Sequence, residues 1–325
     1  MTDYKAIKGK TILSVSSDLG AEGEGEIWFN TASNDYKTIV KVAGAWTSGG
    51  NLTTAREQMA AAGTQTAGLM FGGLITTSSA LNEEYDGSSW TESGDLNTAR
   101  YGQHGAGTQT AGISYGGADH PSGEIVTVVE TYNGTSWTEV TDINTARRDG
   151  GDCGTQTAAL VGGGTPPGTG ATEIWDGSSW TEVGDLNTAR SGMGGVGTTT
   201  AAAVMAGSSP DTGKTEHYDG STWTEVADLN DVRQGVAASG AQTTALCFGG
   251  EPSVTANTEY FDGTSWTEIA NLATARYELA GTGTLSLALA GGGTAGPSKL
   301  NATEEWTWAT TATPPGAQNI KIITD

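Results

Sequence analysis

Residues 176–190 read DGSSWTEVGDLNTAR, and residues 86–100 give the same stretch with one change, Ser93 in place of Val183. Residues 133–147 (NGTSWTEVTDINTAR), 219–233 (DGSTWTEVADLNDVR) and 262–276 (DGTSWTEIANLATAR) are further copies, and 42–56 (VAGAWTSGGNLTTAR) keeps the Trp-Thr pair, one glycine, the leucine and the Thr-Ala-Arg ending. Trp46, Trp90, Trp137, Trp180, Trp223 and Trp266 are thus spaced by 44, 47, 43, 43 and 43 residues. Each has an arginine ten positions on: Arg56, Arg100, Arg147, Arg190, Arg233 and Arg276. A fixed period of this size decides the fold before any local propensity is weighed.

Working outward from the arginine, a small-residue stretch such as SGMGGVGT (191–198) leads to an apolar run that ends on a small pair. The pairs are Gly72-Gly73, Gly116-Gly117, Gly163-Gly164, Ala206-Gly207, Gly249-Gly250 and Gly292-Gly293, where close backbone approach or positive φ is expected. Next comes a glutamate two residues before an aromatic, as in Glu173 and Trp175, then a D-G or N-G turn with the chemistry of a type I′ hairpin, then the tryptophan strand. None of the four segments has the 3.6-residue spacing of a helix. Four short antiparallel strands per unit of about 43 residues make a propeller blade.

The order Gly-Gly, Glu-x-Tyr-Asp-Gly, Trp, Leu-x-x-x-Arg resembles the Kelch repeat over residues 45–308, and that resemblance implies a β-propeller with radially packed blades. Six arginine-to-glycine units are present but only five Asp/Asn-Gly-x-[Ser/Thr]-Trp hairpins follow them. After Glu304 and Trp306 the chain runs TWATTATPPG instead. The missing fourth strand stands at the other end of the chain, in KVAGAWTSGGNL (41–52). The expectation is therefore an all-β, six-bladed propeller over 40–308, with 40–50 closing the last blade, an attachment segment over 1–39 and a tail over 309–325. A seventh blade built from residues 1–52, with EIWFN (26–30) as a third strand, is the alternative.

Composition narrows function. Of 325 residues 50 are glycine, and the net charge is −22, so nucleic acid and anionic membrane surfaces would repel the chain. No apolar run approaches the roughly 18 residues of a membrane span, and no Sec-type signal is seen at the N-terminus. Cys153 and Cys247 fall at different repeat positions and read as two separate buried thiols. The sequons at Asn51, Asn133 and Asn301 are taken as chance.

Among the six copies the variation gathers in one loop. From the second small residue to the next glutamate the lengths are 9, 12, 8, 8, 8 and 10, whereas the GTQT and DGSS turns scarcely change. These loops, with His120, Lys214 and Lys299, share a face with the arginine-bearing connections, and insertions gathered on one face of a repeat protein read as a binding surface. Unconstrained drift is the bland alternative. The repeat arginines have two readings. They tie blades through ion pairs with the repeat glutamates or with Asp95, Asp142, Asp185 and Asp228, or they ring the channel mouth and bind an acidic ligand. Six arginines for six glutamates favours the ties. The repeat tryptophans and tyrosines read as blade packing.

No catalytic set emerges. His104, His120 and His217 share no ligand spacing, so no metal and no cofactor is expected. There is no G-x-S-x-G elbow and no P-loop. DGSSW has one residue too few between Asp and Trp for a sialidase aspartate box, and a galactose-oxidase-like copper site has no tyrosine–histidine set. Residues 14–46, with GEIWFNT (25–31) and a second strand at Tyr36-Lys37, resemble the N-terminal region of tailed-phage fibre and other virion proteins. That resemblance implies a hairpin which attaches a distal module to the particle. The sequence thus points to a non-enzymatic virion protein of tail or head, oligomeric in the particle. It would meet other virion proteins through its N-terminus and display the propeller towards a host-surface glycan or protein. A cellular Kelch adaptor gripping an acidic peptide is the competing reading, and a glycan-acting enzyme a third.

Overall fold

The computed structural model describes residues 13–15, 27–30, 35–38, 44–166, 168–208 and 210–308. Two units are distinguished, one of residues 1–44 and 308–325 and one of residues 45–307. In the first, β1 (Leu13–Val15) pairs parallel with β2 (Ile27–Asn30), which pairs antiparallel with β3 (Asp35–Thr38). Ile27–Asn30 are therefore part of this sheet and not of a seventh blade. The remainder of the segment assigned to attachment, and the tail from 309 on, lie outside the described residues.

The second unit is a ring of six four-stranded antiparallel sheets. Blade 3 shows the common plan: Gly151–Thr155 innermost, then Ala158–Gly162, Thr172–Trp175 and Trp180–Val183 outermost. The inner strands Ala60–Thr64, His104–Thr108, Gly151–Thr155, Gly194–Thr198, Ala237–Ala241 and Ala280–Gly283 each pack on the next, and the sixth packs on the first. Their small residues follow from that convergence. A Cβ on Gly195 would lie 2.4 Å from both the amide nitrogen and the carbonyl oxygen of Asp152 in the neighbouring blade.

Second strands are apolar along nearly their whole length because a blade is covered on both faces, so alternation disappears. The core is accordingly a set of wedges between blades. Leu69 and Phe71 of blade 1 meet Tyr132 and Trp137 of blade 2, and Leu160 of blade 3 meets Val204, Tyr218 and Trp223 of blade 4. Cys153 and Cys247 are separate, buried and free, and burial pushes the Cys247 thiol up to about 11.

The last blade takes its outer strand from the start of the propeller. β4 (Ala45–Ser48) pairs antiparallel with Thr303–Thr307, placing Trp46 opposite Trp306 and Ser48 opposite Glu304. The Trp46 ring lies 4.9 Å from Phe248 and 5.6 Å from Trp306. Leu289 of blade 6 joins Met70 and Trp90 of blade 1 in one cluster, which closes the ring.

One local expectation needs correcting. The Asp-Gly turn is not type I′, which requires positive φ at both central residues. Only the glycine is positive, as at Gly177 (φ 93°), and the chain turns across Gly177 and Ser178. The aspartate instead caps the loop. Asp176 Oδ1 accepts from the Ser178 hydroxyl and from the amides of Ser179 and Ser178, all at 2.8 Å, an Asx arrangement that holds its carboxyl down at about 2. At the small pairs the expectation holds. Both glycines take positive φ, and Ala206, where one copy lacks glycine, sits at φ 65°.

Candidate functional site

The six repeat arginines are buried, with 0 to 2% of their surface exposed. Each pairs with the glutamate of its own blade. Arg56–Glu83, Arg100–Glu130, Arg147–Glu173, Arg233–Glu259 and Arg276–Glu304 close at 3.0, 3.3, 2.7, 3.1 and 2.5 Å, and Arg190 pairs with Glu216 in the same way. No surface ligand can touch these guanidinium groups, which removes the acidic-ligand ring. The pairs do not tie neighbouring blades either. Each holds the incoming connection onto the blade it leads into, with help from a residue that sequence reasoning passed over. Asn144 donates to Glu173 Oε2 through its amide and through Nδ2, both at 2.8 Å, and Nδ2 also donates to the Trp180 carbonyl at 3.1 Å. Asn97, Asn187 and Asn230 do the same, a four-in-six recurrence visible in the repeat. Asp95 and Asp142 bond instead to the Asn82 amide and the Thr127 hydroxyl.

Blade-to-blade ties come from other groups. The carbonyl of each repeat arginine accepts the amide of the second small residue of the preceding blade, Gly73 to Arg100 through to Gly293 to Arg56. Four repeat tryptophans donate from Nε1 to a threonine one blade back: Trp46 to Thr258, Trp90 to Thr303, Trp223 to Thr172 and Trp266 to Thr215. On the other face, the glutamine of the GTQT turn reaches two carbonyls of the preceding blade, as Gln156 does with Gly112 and Tyr132.

With the frame accounted for, the positions it leaves free stand out. The residue after each arginine is Glu57, Tyr101, Arg148, Ser191, Gln234 or Tyr277, and each bridges to the start of a variable loop, at Leu74, Ala118, Thr165, Ser208, Glu251 or Thr294. The next residue is Gln58, Gly102, Asp149, Gly192, Gly235 or Glu278, all with φ between 51° and 69°. These six bond head to tail through the backbone, Gly102 N to Gln58 O and so on round to Gln58 N to Glu278 O, at 2.6 to 2.9 Å. The result is a closed collar of main chain at one end of an axial cavity of about 300 Å³. The signal for both positions was present in the repeat, as two variable residues directly after an invariant one.

Electrostatically the collar is acidic and poorly solvated. Burial pushes the Glu278 carboxyl up to about 8, with repulsion from Glu57, Asp149 and Glu251 adding to it. Burial also raises Asp149 to about 6, and Asp152 on the cavity wall to about 7. Arg148 offsets part of this, its Nη1 lying 2.5 Å from Asp149 Oδ2. Among the described residues no three His, Cys, Asp or Glu side chains are placed to share a metal ion, and no helix is long and apolar enough to cross a membrane.

The three variable-loop residues separate. His120 is exposed and joins the rim, its ring 6.4 Å from that of Tyr101. Lys299 reaches the neighbouring blade, 2.8 Å from Glu57 Oε1 and 3.1 Å from the Leu74 carbonyl. Lys214 turns to Glu225 on the outer strand of its own blade, away from the axis. His104 and His217 are not part of the rim. His104 is buried and neutral, burial having pushed it down to about 3, with Nε2 accepting the Gly150 amide at 2.8 Å. No protein-family model and no curated protein matches this sequence.

Proposed function

We propose that the chain is a non-enzymatic bacteriophage virion structural protein of the tail-fibre, head-fibre or decoration type, whose Kelch-like propeller is displayed for binding to a host surface or a virion partner. One observation carries the reading. Within six copies of one unit, the buried ties are kept while the loops and the two residues behind each arginine vary, and all of these lie on one face. A surface under no demand from the frame, yet rigidly held by it, suits recognition.

The virion part of the proposal rests on the resemblance of GEIWFNT and its surroundings to phage fibre N-termini, and the β2–β3 pairing is consistent with the hairpin expected there. In this reading the N-terminal segment engages other virion proteins, several copies assemble in the particle, and the propeller sits on the virion surface. Burial of the arginines tells against the cellular adaptor, whose acidic peptide would have needed them. Deleting residues 1–30 tests the assignment: the truncated protein should keep the propeller's melting transition and be absent from purified particles. A truncated protein that still enters particles refutes it. Turnover of a polysaccharide panel by the intact chain would revive the enzyme.

A further inference from the structure

Behind the arginines of blades 2 and 3 the rim carries side chains that no other pair of neighbouring blades brings together. Tyr101 is partly exposed, and the Arg148 guanidinium carbon lies 5.4 Å from its ring centroid. The Arg148 side chain keeps 28% of its surface, unlike the six buried repeat arginines, and it is paired with Asp149. The His120 ring meets Tyr101 edge-on, at an interplanar angle of 74°. His120 is positioned there by the longest of the variable loops, whose main chain is pinned to the neighbouring loop by a 2.6 Å bond from the His120 amide to Ser78 Oγ. One aromatic ring, one fork of N–H donors, one carboxylate acceptor and one imidazole therefore converge beside the collar. The ion pair and the cation–π contact fix them before any ligand arrives.

That set matches a pyranose. Its C–H face packs on an aromatic ring, and neighbouring hydroxyls need a donor and an acceptor side by side, which Arg148 and Asp149 supply. Charge selects among sugars. Glu57 and Glu251 stand around the mouth, and residues 51–308 carry 9 basic against 30 acidic side chains, so a uronic or sialic acid would be repelled. An amino sugar would meet the Arg148 cation. Building on the display function proposed above, we infer that Tyr101, Arg148, Asp149 and His120 form a subsite for one neutral pyranose unit of a surface polysaccharide.

The test uses the full chain against immobilised dextran, mannan and galactan, with alginate and hyaluronan as acidic arms. Binding to at least one neutral polymer is expected. Tyr101→Ala and Arg148→Ala should each weaken it at least tenfold, while the outer-strand change Thr224→Ala, far from the rim, leaves it unchanged. Unaltered melting curves guard against misfolding, and His120→Ala, an exposed change, gives an independent loss. Binding confined to the acidic polymers, no binding to any neutral one, or neutral binding indifferent to Tyr101→Ala and Arg148→Ala overturns the subsite. A chain that enters particles yet binds no neutral polymer overturns this inference alone. Absence of the intact chain from particles overturns the display reading, whatever it binds.

Discussion

Each repeat glutamate secures more than its arginine. Glu173 receives Arg147 Nη2 in a fully buried bond, and the Asn144 amide and side chain and the Thr145 amide in part-buried ones. Glu173→Ala would strand a buried guanidinium and three further donors, and removing one partner of a buried pair costs about 3 to 5 kcal/mol. Urea denaturation should show a loss of that order, and a change below about 1 kcal/mol would contradict the assigned role. A gain is expected elsewhere. Trp180 Nε1 is buried without a partner, and the position that carries a threonine in four other blades is Val129 here. Val129→Thr would supply the acceptor, with an expected stabilisation of about 1 kcal/mol by the same measurement. At this scale the sequence announced the arginine–glutamate pairing through matching counts. The direction of the tie was illegible, because a repeat pairs as well within a unit as across two, and only backbone placement decides. The threonine acceptors were hidden for another reason: a threonine before a glutamate in a strand reads simply as a strand former.

At the level of the element, strands were legible and loops less so. Apolar runs, small-residue stretches and the tryptophan segments all became the strands expected of them, since period and burial there point the same way. The Asp-Gly turn departed from expectation because the aspartate side chain bonds two amides and relieves the backbone of a second positive φ. Asp176→Asn should therefore be nearly silent in stability, as Asn133 makes the same two bonds in its own blade at 3.0 Å. Gly177→Ala, forced to φ 93°, should cost about 1 kcal/mol or more. Equal effects of the two changes on the urea midpoint would exclude the capping account. Inner strands are stricter. Gly195→Val drives a side chain into the backbone of Asp152, and no soluble folded protein is expected from it.

The whole molecule should show its acidic collar in the pH dependence of stability. Glu278, Asp152 and Asp149 are raised to about 8, 7 and 6, above the roughly 4 of an unfolded carboxyl, so they favour the fold when protonated, and that contribution is lost as pH rises through those values. His104 is depressed to about 3, so its contribution is present above about 6.5 and is lost as pH falls below that. The capping aspartates, held near 2, lose theirs only in stronger acid. Three carboxyls against one imidazole place the maximum near pH 4, with stability falling from there to about pH 8. Urea midpoints that climb from pH 6 to pH 8.5 would show the collar to be ionised at no cost.

The ring itself makes a separate prediction. A chain starting at Gly44 should melt like the intact one, while a chain starting at Leu52 lacks β4 and should lose at least the about 3 to 5 kcal/mol of a buried tryptophan. Closure by Trp46 was readable from the one hairpin absent at the far end. The rim site was not, because its residues are defined by departing from the repeat. Ala45 and Thr307 are opposite partners in the closing ladder, so the chain arrives at the propeller and departs from it at the same spot. Tension drawing those two ends apart would peel the ladder one rung at a time, whereas a tug on Ala45 with the disc gripped elsewhere would strain every rung at once. A particle that holds this protein by one terminus therefore hangs it by a much stronger fastening than one that pulls on both.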